Sequence, residues 1–217
     1  MATVPSSQAE EEYLQAIYTL QDEGGPVIAA RLADFLDISA PAVSEMVHRL
    51  EREGLLRLDA RHELRLTQAG QTAADSVVRR HRLAERFLVD VLGYAWWKVH
   101  EEAERLEHVM TPEMEERITN VLGDPQTCPH GNPMPGTAAR PTRPLGDLGP
   151  GERSEIARIP DQFEHEHGFL EYLDSQGLRP GARVGVVRST ADALRVWIEG
   201  KERDVRPDCA QKVWVAV

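Results

Sequence analysis

Apolar side chains recur at helical spacing near the start of the chain. In the segment EEEYLQAIYTLQ, which covers residues 10–21, one face of a predicted helix carries Tyr13, Leu14, Ile17 and Leu20. The glycines and the proline of the following DEGGP stretch predict the end of this helix. The chain therefore begins with a short amphipathic helix that has an acidic start.

Two shorter helices are predicted next, with a tight turn between them. They cover VIAARLADFL and PAVSEMVHRLEREG, where Pro41 lies in the first turn of the second helix and Gly54 marks its end. The segment LLRLDARHELRLT then alternates leucines around a polar centre, as a hairpin with one buried face does. Three helices followed by a hairpin are typical of a winged helix-turn-helix.

A helical region follows the hairpin. A long helix is predicted from Gln68 to about Leu92, closed by Gly93, and further helices are predicted in AWWKVHEEAERLEHVM and EMEERITNVLG. From Gly123 to Gly151 prolines and glycines are frequent and hydrophobic periodicity is weak, which predicts a linker.

The last third of the chain reads as mostly β structure. The runs RVGVV, LRVWI and KVWVAV are alternating or β-branched, and FEHEHGFLEYLDSQG supplies one predicted helix. A small β barrel is therefore expected over residues 145–217. The predicted fold class is mainly α with small β parts.

Composition limits the classes of function. The chain has 217 residues and a formal net charge of −11, and its two cysteines, Cys128 and Cys209, form no C-x-x-C pair. This argues against a disulfide scaffold and a zinc ribbon. No run approaches the ~18 apolar residues of a membrane helix, and the acidic N-terminal segment does not resemble a signal peptide, so we expect a soluble cytoplasmic protein without a membrane partner.

The acidic charge weighs against a nucleic-acid partner, because Lys and Arg normally supply the affinity for phosphates. The predicted winged helix is nevertheless locally neutral, with five Arg and five Asp or Glu in residues 39–66. Base edges are read by the first turns of a recognition helix, and wing arginines contact phosphates. The candidate DNA-binding residues are Ser39, Pro41, Ala42, Ser44, Glu45, Arg49, Arg57 and Arg61. The alternative is a protein-interaction module.

A second group of residues points to metal binding. On a continuous helix, four residues with ligand-type side chains would share an arc of about 100°: His100, Glu104, Glu107 and His108. The preceding long helix adds His81 and Glu85, spaced i, i+4. Carboxylates with imidazoles and no sulfur favour a hard ion such as Mn²⁺. Solvated helix faces are the alternative interpretation.

Three segments, RHRLAERFLVDVLG, KVHEEAERLEHVM and HGNPMPG, resemble the diphtheria toxin repressor family of metal-dependent transcriptional regulators. The resemblance extends over the whole chain. It implies a winged helix-turn-helix in residues 1–75, a helical metal-binding and dimerisation domain in residues 76–140, and a linker with an SH3-like β barrel in residues 141–217. It also implies two metal sites, a primary one at Glu12, Glu104, Glu107 and His108 and an ancillary one at His81, Glu85 and His100.

Departures from the family pattern bear on the choice of metal. Iron-responsive members carry Met at the position of Glu12 and Cys at the position of Glu104, whereas the manganese-responsive branch carries carboxylates. The resemblance therefore implies Mn²⁺ as the cofactor, at two sites per protomer, with Fe²⁺ as the alternative.

The C-terminal part of the ancillary site also departs from the family. Two family ligands, a Glu and a Gln, fall at His165 and Gly168 here, and we expect His165 or His167 to substitute. The dense set that could supply replacements is Glu164, His165, His167 and Glu171. Cys128 and His130 are weaker metal candidates and are interpreted as loop residues.

These expectations combine into a regulatory function without enzymatic activity. We expect a homodimer that binds operator DNA when loaded with metal and represses genes of metal uptake. Repulsion among carboxylates such as Glu12 and Glu107 would leave the first helix poorly fixed until a divalent ion joins them. The alternatives are a transcriptional activator, a regulator that responds to an organic ligand and, from another class, a metal-storage protein or metalloenzyme.

Overall fold

The computed structural model describes residues 7–217, which form two compact units. The first unit comprises the chain up to His81 together with Glu107–Met110. The second comprises Arg82–Leu106 and Thr111–Val217.

The first unit opens with three helices and a hairpin. They are α1 (Gln8–Asp22), α2 (Ala29–Leu36), α3 (Ala40–Arg52) and the antiparallel strands β1 (Leu56–Leu58) and β2 (Leu64–Leu66). The predicted boundaries agree with these elements because capping and turn residues set them: Pro41 stands in the first turn of α3, and Gly54, with φ of 74°, follows its end.

The core of the first unit consists of the apolar faces that the periodicity predicted. Leu14, Ile17, Leu32, Leu50 and Leu64 are fully buried in one hydrophobic cluster. Helix, helix, turn, helix and hairpin form the predicted winged helix-turn-helix.

The next helix, α4 (Gln68–Arg86), packs tightly against this core. A Cβ on Gly70 would lie 1.9 Å from the carbonyl oxygen of Leu55, so only glycine permits this approach. The α-helix is shorter than the prediction to Leu92, because the chain continues as a π-helical turn over Phe87–Val91.

The prediction of one continuous helix through residue 110 was wrong. After a short 3₁₀ turn, α5 (His100–Glu107) ends before His108, and α6 (Pro112–Leu122) begins with Thr111 as its cap. Proline disfavours helical conformation in the residue before it, and the Thr111 hydroxyl accepts a hydrogen bond from the Met114 N–H at 3.2 Å. His108 therefore lies in a turn rather than on a helix face with His100.

An antiparallel sheet of six strands dominates the second unit. In chain order the strands are β3 (Thr142–Pro144), β4 (Arg153–Arg158), β5 (Arg183–Ser189), β6 (Leu194–Ile198), β7 (Lys201–Val205) and β8 (Trp214–Ala216). In space they run β3-β8-β4-β5-β6-β7. Helices α7 (Phe169–Gln176) and α8 (Pro207–Lys212) contribute Leu173 and Cys209 to its core.

The segment predicted as a linker is packed rather than free. Cys128, His130, Asn132, Met134 and Leu145 are all buried within it. The prediction rested on the scarcity of periodic hydrophobics, and these side chains are buried without a repeating pattern. Among residues 7–217, no helix is both long enough and apolar enough to cross a membrane.

Candidate metal centres and nucleic-acid interface

In the first unit, two histidines and two carboxylates form what we call the first cluster: Glu11, His81, Glu107 and His108. The Glu107 carboxylate is almost fully buried, with Oε2 at 2.5 Å from His81 Nδ1 and Oε1 at 3.4 Å from His108 Nε2. The other ring nitrogen of His108 lies 2.8 Å from Glu11 Oε2. The cluster offers only oxygen and nitrogen donors, which fit a hard divalent ion.

An arginine joins the first cluster from α4. Arg80 Nη2 lies 2.6 Å from Glu11 Oε1, and Arg80 Nε donates to the backbone carbonyl of Glu107 at 3.0 Å. The guanidinium balances the Glu11 carboxylate, which is only slightly exposed to water. Arg80 thereby links α1 to the turn that carries His108.

The structure gives the contact with His108 to Glu11 and not to Glu12. The Glu12 side chain is exposed and accepts a hydrogen bond from Gln8 Nε2 at 2.9 Å. Successive residues of a helix point about 100° apart, so these two carboxylates face different directions. Glu12 as a ligand therefore stays a prediction from the resemblance.

The second unit contains another set, which we call the second cluster: Glu85, His100, His130 and Glu164. His100 Nδ1 lies 3.6 Å from Glu85 Oε1 and 3.3 Å from Glu164 Oε2. His130 Nδ1 lies 3.2 Å from Glu85 Oε1 and 3.2 Å from Glu164 Oε1. Both carboxylates are nearly inaccessible to water, so cationic partners are required here.

The electrostatics of the second cluster favour positive charge on its imidazoles. Burial opposes a charged His100, but Glu104, Glu164 and Glu85 outweigh it and raise the pKa of His100 well above its usual value. Burial also opposes a charged His130, yet Glu164 and Glu85 raise the pKa of His130 well above its usual value. Burial alone would raise the pKa of Glu164, but His130 and His100 lower it to about 2.

Neighbouring side chains hold the second cluster in place. Asn132 Nδ2 donates to Glu164 Oε1 at 3.0 Å and to the Ile159 carbonyl at 2.8 Å. Arg82 Nη2 lies 2.6 Å from Asp161 Oδ2, and Arg82 also donates to the Pro133 carbonyl. The loop around residues 128–134 is thus fixed by side chains as well as by its own backbone.

Glu104 and His165 lie beside the second cluster on its exposed side. His100 Nε2 is 3.3 Å from Glu104 Oε1, and the rings of His100 and His165 meet edge to face at 4.4 Å. A cleft of about 490 Å³, which His167 also lines, opens at this point. His165 and His167 are exposed, as is Glu171, whereas Glu164 is the buried member of the EHEH segment.

The predicted ligand face is thus divided. Glu107 and His108 contact His81 and Glu11, whereas His100 and Glu104 contact each other within the second unit. Sequence reasoning gave no role to Arg80 and Arg82, which the RRHR run made look solvated. It treated Cys128 and His130 as loop residues, and nothing in their spacing signals that they are buried beside carboxylates.

The candidate nucleic-acid interface is the first half of α3 with the hairpin. Seven of the eight predicted DNA-binding residues are exposed: Ser39, Pro41, Ala42, Ser44, Glu45, Arg57 and Arg61. Arg49 differs, because its guanidinium lies 2.5 Å from the buried Glu10 carboxylate and 3.2 Å from Glu53. Its role in holding α3 against α1 corrects the expectation of a freely available base or phosphate contact.

Comparison with known protein families covers nearly the whole chain. Residues 6–63 match the iron dependent repressor N-terminal DNA binding domain. Residues 67–136 match the iron dependent repressor metal binding and dimerisation domain, and residues 143–217 match the FeoA domain.

Individual relatives agree with this division. The iron-dependent repressor IdeR of Mycobacterium tuberculosis (strain ATCC 25618 / H37Rv) is 41% identical over 212 residues, which are 91% of each protein. The diphtheria toxin repressor of Corynebacterium diphtheriae is 40% identical over 189 residues, or 82% of this chain and 83% of the relative. A solved manganese-dependent transcriptional repressor in complex with manganese superposes with a TM-score of 0.86 at 36% identity, over 95% of this chain and 99% of that one.

A winged helix-turn-helix combined with carboxylate and imidazole clusters defines a metal-dependent transcriptional repressor. The chain belongs to the iron-dependent repressor family, which includes the diphtheria toxin repressors, and the resemblance found from the sequence is confirmed.

Proposed function

We propose that this protein is a Mn²⁺-responsive repressor that binds operator DNA as a homodimer and controls genes of metal uptake. Fe²⁺ is the alternative activating ion, since the curated relatives are iron-dependent. The observation that carries the proposal is the first cluster, in which Glu11, Glu107 and His108 converge without a sulfur donor. Regulation rather than catalysis is the function that this donor set and the repressor relatives support.

Two carboxylates and two imidazoles would hold the ion of the first cluster. Glu107 would contribute its carboxylate, and His108 and His81 their ring nitrogens. A carboxylate from α1 would complete the set, either Glu11 by its contact or Glu12 by the resemblance. A bound divalent ion supplies positive charge that these carboxylates otherwise obtain from Arg80.

The chain's own contacts connect this cluster to the DNA-binding surface. Glu11 and Leu14 lie on α1, and Leu14 is fully buried in the same core as Val43 and Val47 of α3. A change in the orientation of α1 therefore acts on α3 through direct packing. The affinities for ion and for DNA must then be coupled reciprocally.

An exposed apolar surface in the second unit supports dimerisation. Val91, Leu92 and Tyr94, at the end of the helical region that contains α4, are exposed, as are Met114 and Val121 of α6. Segment 87–91 packs against α6, so these side chains form one neighbourhood. Burying such a patch in a second copy removes it from water.

The proposed ancillary site would use Glu85 and His100, as the resemblance implies, with Glu164 as the carboxylate nearest to them. His165 and His167 stay predictions at the exposed edge of this site.

The test of the metal response starts from the DNA side. Duplexes are selected from a random pool on the chelator-treated protein in the presence of Mn²⁺, and binding of a selected duplex is followed by fluorescence anisotropy at fixed salt. We expect Mn²⁺ to tighten binding at least ten-fold, and Fe²⁺ under anaerobic conditions is the comparison. Equal affinity with and without either ion would overturn the proposal.

The test of the dimer uses two matched substitutions of exposed apolar residues. Leu92→Glu places a charge in the apolar patch, and Val187→Glu places one on β5, outside it. Light scattering of the metal-loaded protein is expected to show a dimer for the wild type and Val187→Glu and a monomer for Leu92→Glu. A dimer in both variants would contradict the assignment of the patch.

A further inference from the structure

Cys128 and His130 occupy a rigid and fully buried loop of the second unit. Neither side chain is accessible to water, and the His130 carbonyl accepts a hydrogen bond from the Ile159 N–H at 2.8 Å. Gly131, with φ of 87°, brings the loop so close to β4 that a Cβ there would lie 2.1 Å from the Ala157 carbonyl oxygen. The two side chains are therefore held in fixed positions.

The hydrogen bonding of His130 determines which ring nitrogen carries a hydrogen. Nε2 lies 2.9 Å from the Trp96 carbonyl oxygen, which can only accept, so Nε2 must donate. In the neutral ring Nδ1 then presents a lone pair to Glu85 Oε1 and Glu164 Oε1, each 3.2 Å away. Lone pairs directed at carboxylates repel, so a cation is needed between these atoms.

The Cys128 thiol lies beside the same point. Its Sγ is 3.9 Å from His130 Nδ1, and Sγ, Nδ1 and a carboxylate oxygen of Glu85 all lie within 4.8 Å of one another. In a tetrahedral zinc site the sulfur-to-nitrogen separation is about 3.5 Å and the nitrogen-to-oxygen separation about 3.4 Å, from the usual bond lengths. Small side-chain movements would bring the three donors to those separations.

We propose that Cys128, His130 and Glu85 bind a divalent metal ion through a thiolate, an imidazole and a carboxylate, with Glu164 available as a fourth donor. A thiolate shifts the preference from Mn²⁺ toward softer ions such as Zn²⁺, Co²⁺ and Fe²⁺. The Trp96 carbonyl serves as the outer hydrogen-bond acceptor that fixes the ring of a ligating histidine.

Coordination at this site exchanges protons for the ion. Burial, together with Glu85, raises the pKa of Cys128 to about 11, so the thiol is protonated at neutral pH until an ion binds. The S–H proton, and the Nδ1 proton of a charged His130, leave to solvent as the bonds from sulfur and nitrogen to the metal form.

This site is separate in its donors from the ligand sets that the resemblance implies, although it shares Glu85 with the proposed ancillary set. It does not depend on the Mn²⁺ response or on DNA binding. The two ideas can therefore fail independently.

The decisive experiment is a Co²⁺ titration of the reduced, chelator-treated full chain, followed by absorption spectroscopy. A thiolate ligand produces an intense sulfur-to-cobalt charge-transfer band in the near ultraviolet. We compare the wild type with Cys128→Ser and with Cys209→Ser, a matched control at the other buried cysteine, which contacts Arg206 and lies in α8.

The band is expected in the wild type and in Cys209→Ser, and its loss is expected in Cys128→Ser. A wild type without the band, or a Cys128→Ser variant that retains it, would overturn the proposal. Tryptophan fluorescence before titration shows whether each variant is folded.

A second measurement on the wild-type protein does not depend on the folding of a variant. X-ray absorption at the zinc edge of the protein loaded with one equivalent of Zn²⁺ is expected to show a sulfur neighbour at about 2.3 Å. A shell of nitrogen and oxygen alone would contradict the site. Mn²⁺-dependent DNA binding of Cys128→Ser, measured in parallel, separates a failure here from a failure of the proposed function.

Discussion

The ion pair between Arg82 and Asp161 allows a sharp test of how the second cluster is supported. The Arg82 side chain is 2% exposed, its Nη2 lies 2.6 Å from Asp161 Oδ2, and it also donates to the Pro133 carbonyl. Burial raises the pKa of Asp161, and Arg82 opposes that effect. Replacing Arg82 by Met removes the charge and both hydrogen bonds while keeping a long apolar side chain.

The expected loss of stability follows from burial. Removing one partner of a buried ion pair costs about 3–5 kcal/mol, because the other charge is left without a partner. The Asp161 side chain keeps 23% of its exposure and can take up a proton, so we expect the lower end, about 3 kcal/mol. The matched control is Arg195→Met, which breaks a pair of similar length, 2.7 Å, to Asp204 at the surface, where water screens it.

The distribution of tryptophan supplies the assay. All four tryptophans, at positions 96, 97, 197 and 214, belong to the second unit, so their fluorescence reports its unfolding. In urea, with a slope of about 2 kcal/mol per molar, Arg82→Met is expected to lower the midpoint of the chelator-treated protein by about 1–2 M. Arg195→Met should move it little. Equal shifts in the two variants would refute the reasoning from burial.

Four further predictions concern the two clusters and the winged helix. Replacing Glu11 by Gln is expected to lower Mn²⁺ affinity about 10–100-fold, because its carboxylate orients an imidazole of the first cluster; calorimetry that finds no change, together with a lost response in the matched Glu12→Gln variant, would contradict this. Arg57→Ala should weaken DNA binding and reduce the salt dependence of log K by about one phosphate contact; an unchanged slope in anisotropy titrations would exclude that contact. Gly70→Ala should lower the thermal midpoint seen by circular dichroism, since its Cβ would lie 1.9 Å from a carbonyl oxygen, and a wild-type midpoint would contradict the packing. Since the pKa of Glu164 is lowered from 4.5 to about 2, its carboxylate stabilises the fold above pH 4.5, and this contribution is lost as pH falls toward 2; acid unfolding of Glu164→Gln should depend less on pH in that window, and an identical profile would contradict the assignment.

The winged helix could be predicted from the sequence because local signals determine it. The periodic apolar positions, Pro41 in the first turn of α3 and Gly54 after its end act within a few residues of where they stand. The hairpin followed in the same way from alternating leucines. The boundaries of these elements agree with the prediction because they need little information from the rest of the chain.

The clusters could be predicted only in part, because tertiary packing decides which polar side chains meet. Helix periodicity placed His108 on one face with His100, but the helix ends at Glu107 before the turn at Thr111. The segment EHEH has no pattern that separates Glu164 from His165, and only packing buries the first and exposes the second. Cys128 lacks a local signal for the same reason.

Buried carboxylates in both units are balanced by cations of the same chain, and this changes the meaning of the net charge of −11. Arg80 balances Glu11, Arg49 balances Glu10, and in the second unit two imidazoles of raised pKa balance Glu164. Where an imidazolium holds the position, an entering ion must displace its proton, so metal affinity at the second cluster has to rise with pH. Where a guanidinium holds it, no proton can be lost, and the side chain itself must move. Arg80 is therefore the group in the first cluster whose displacement can turn ion binding into a movement of α1.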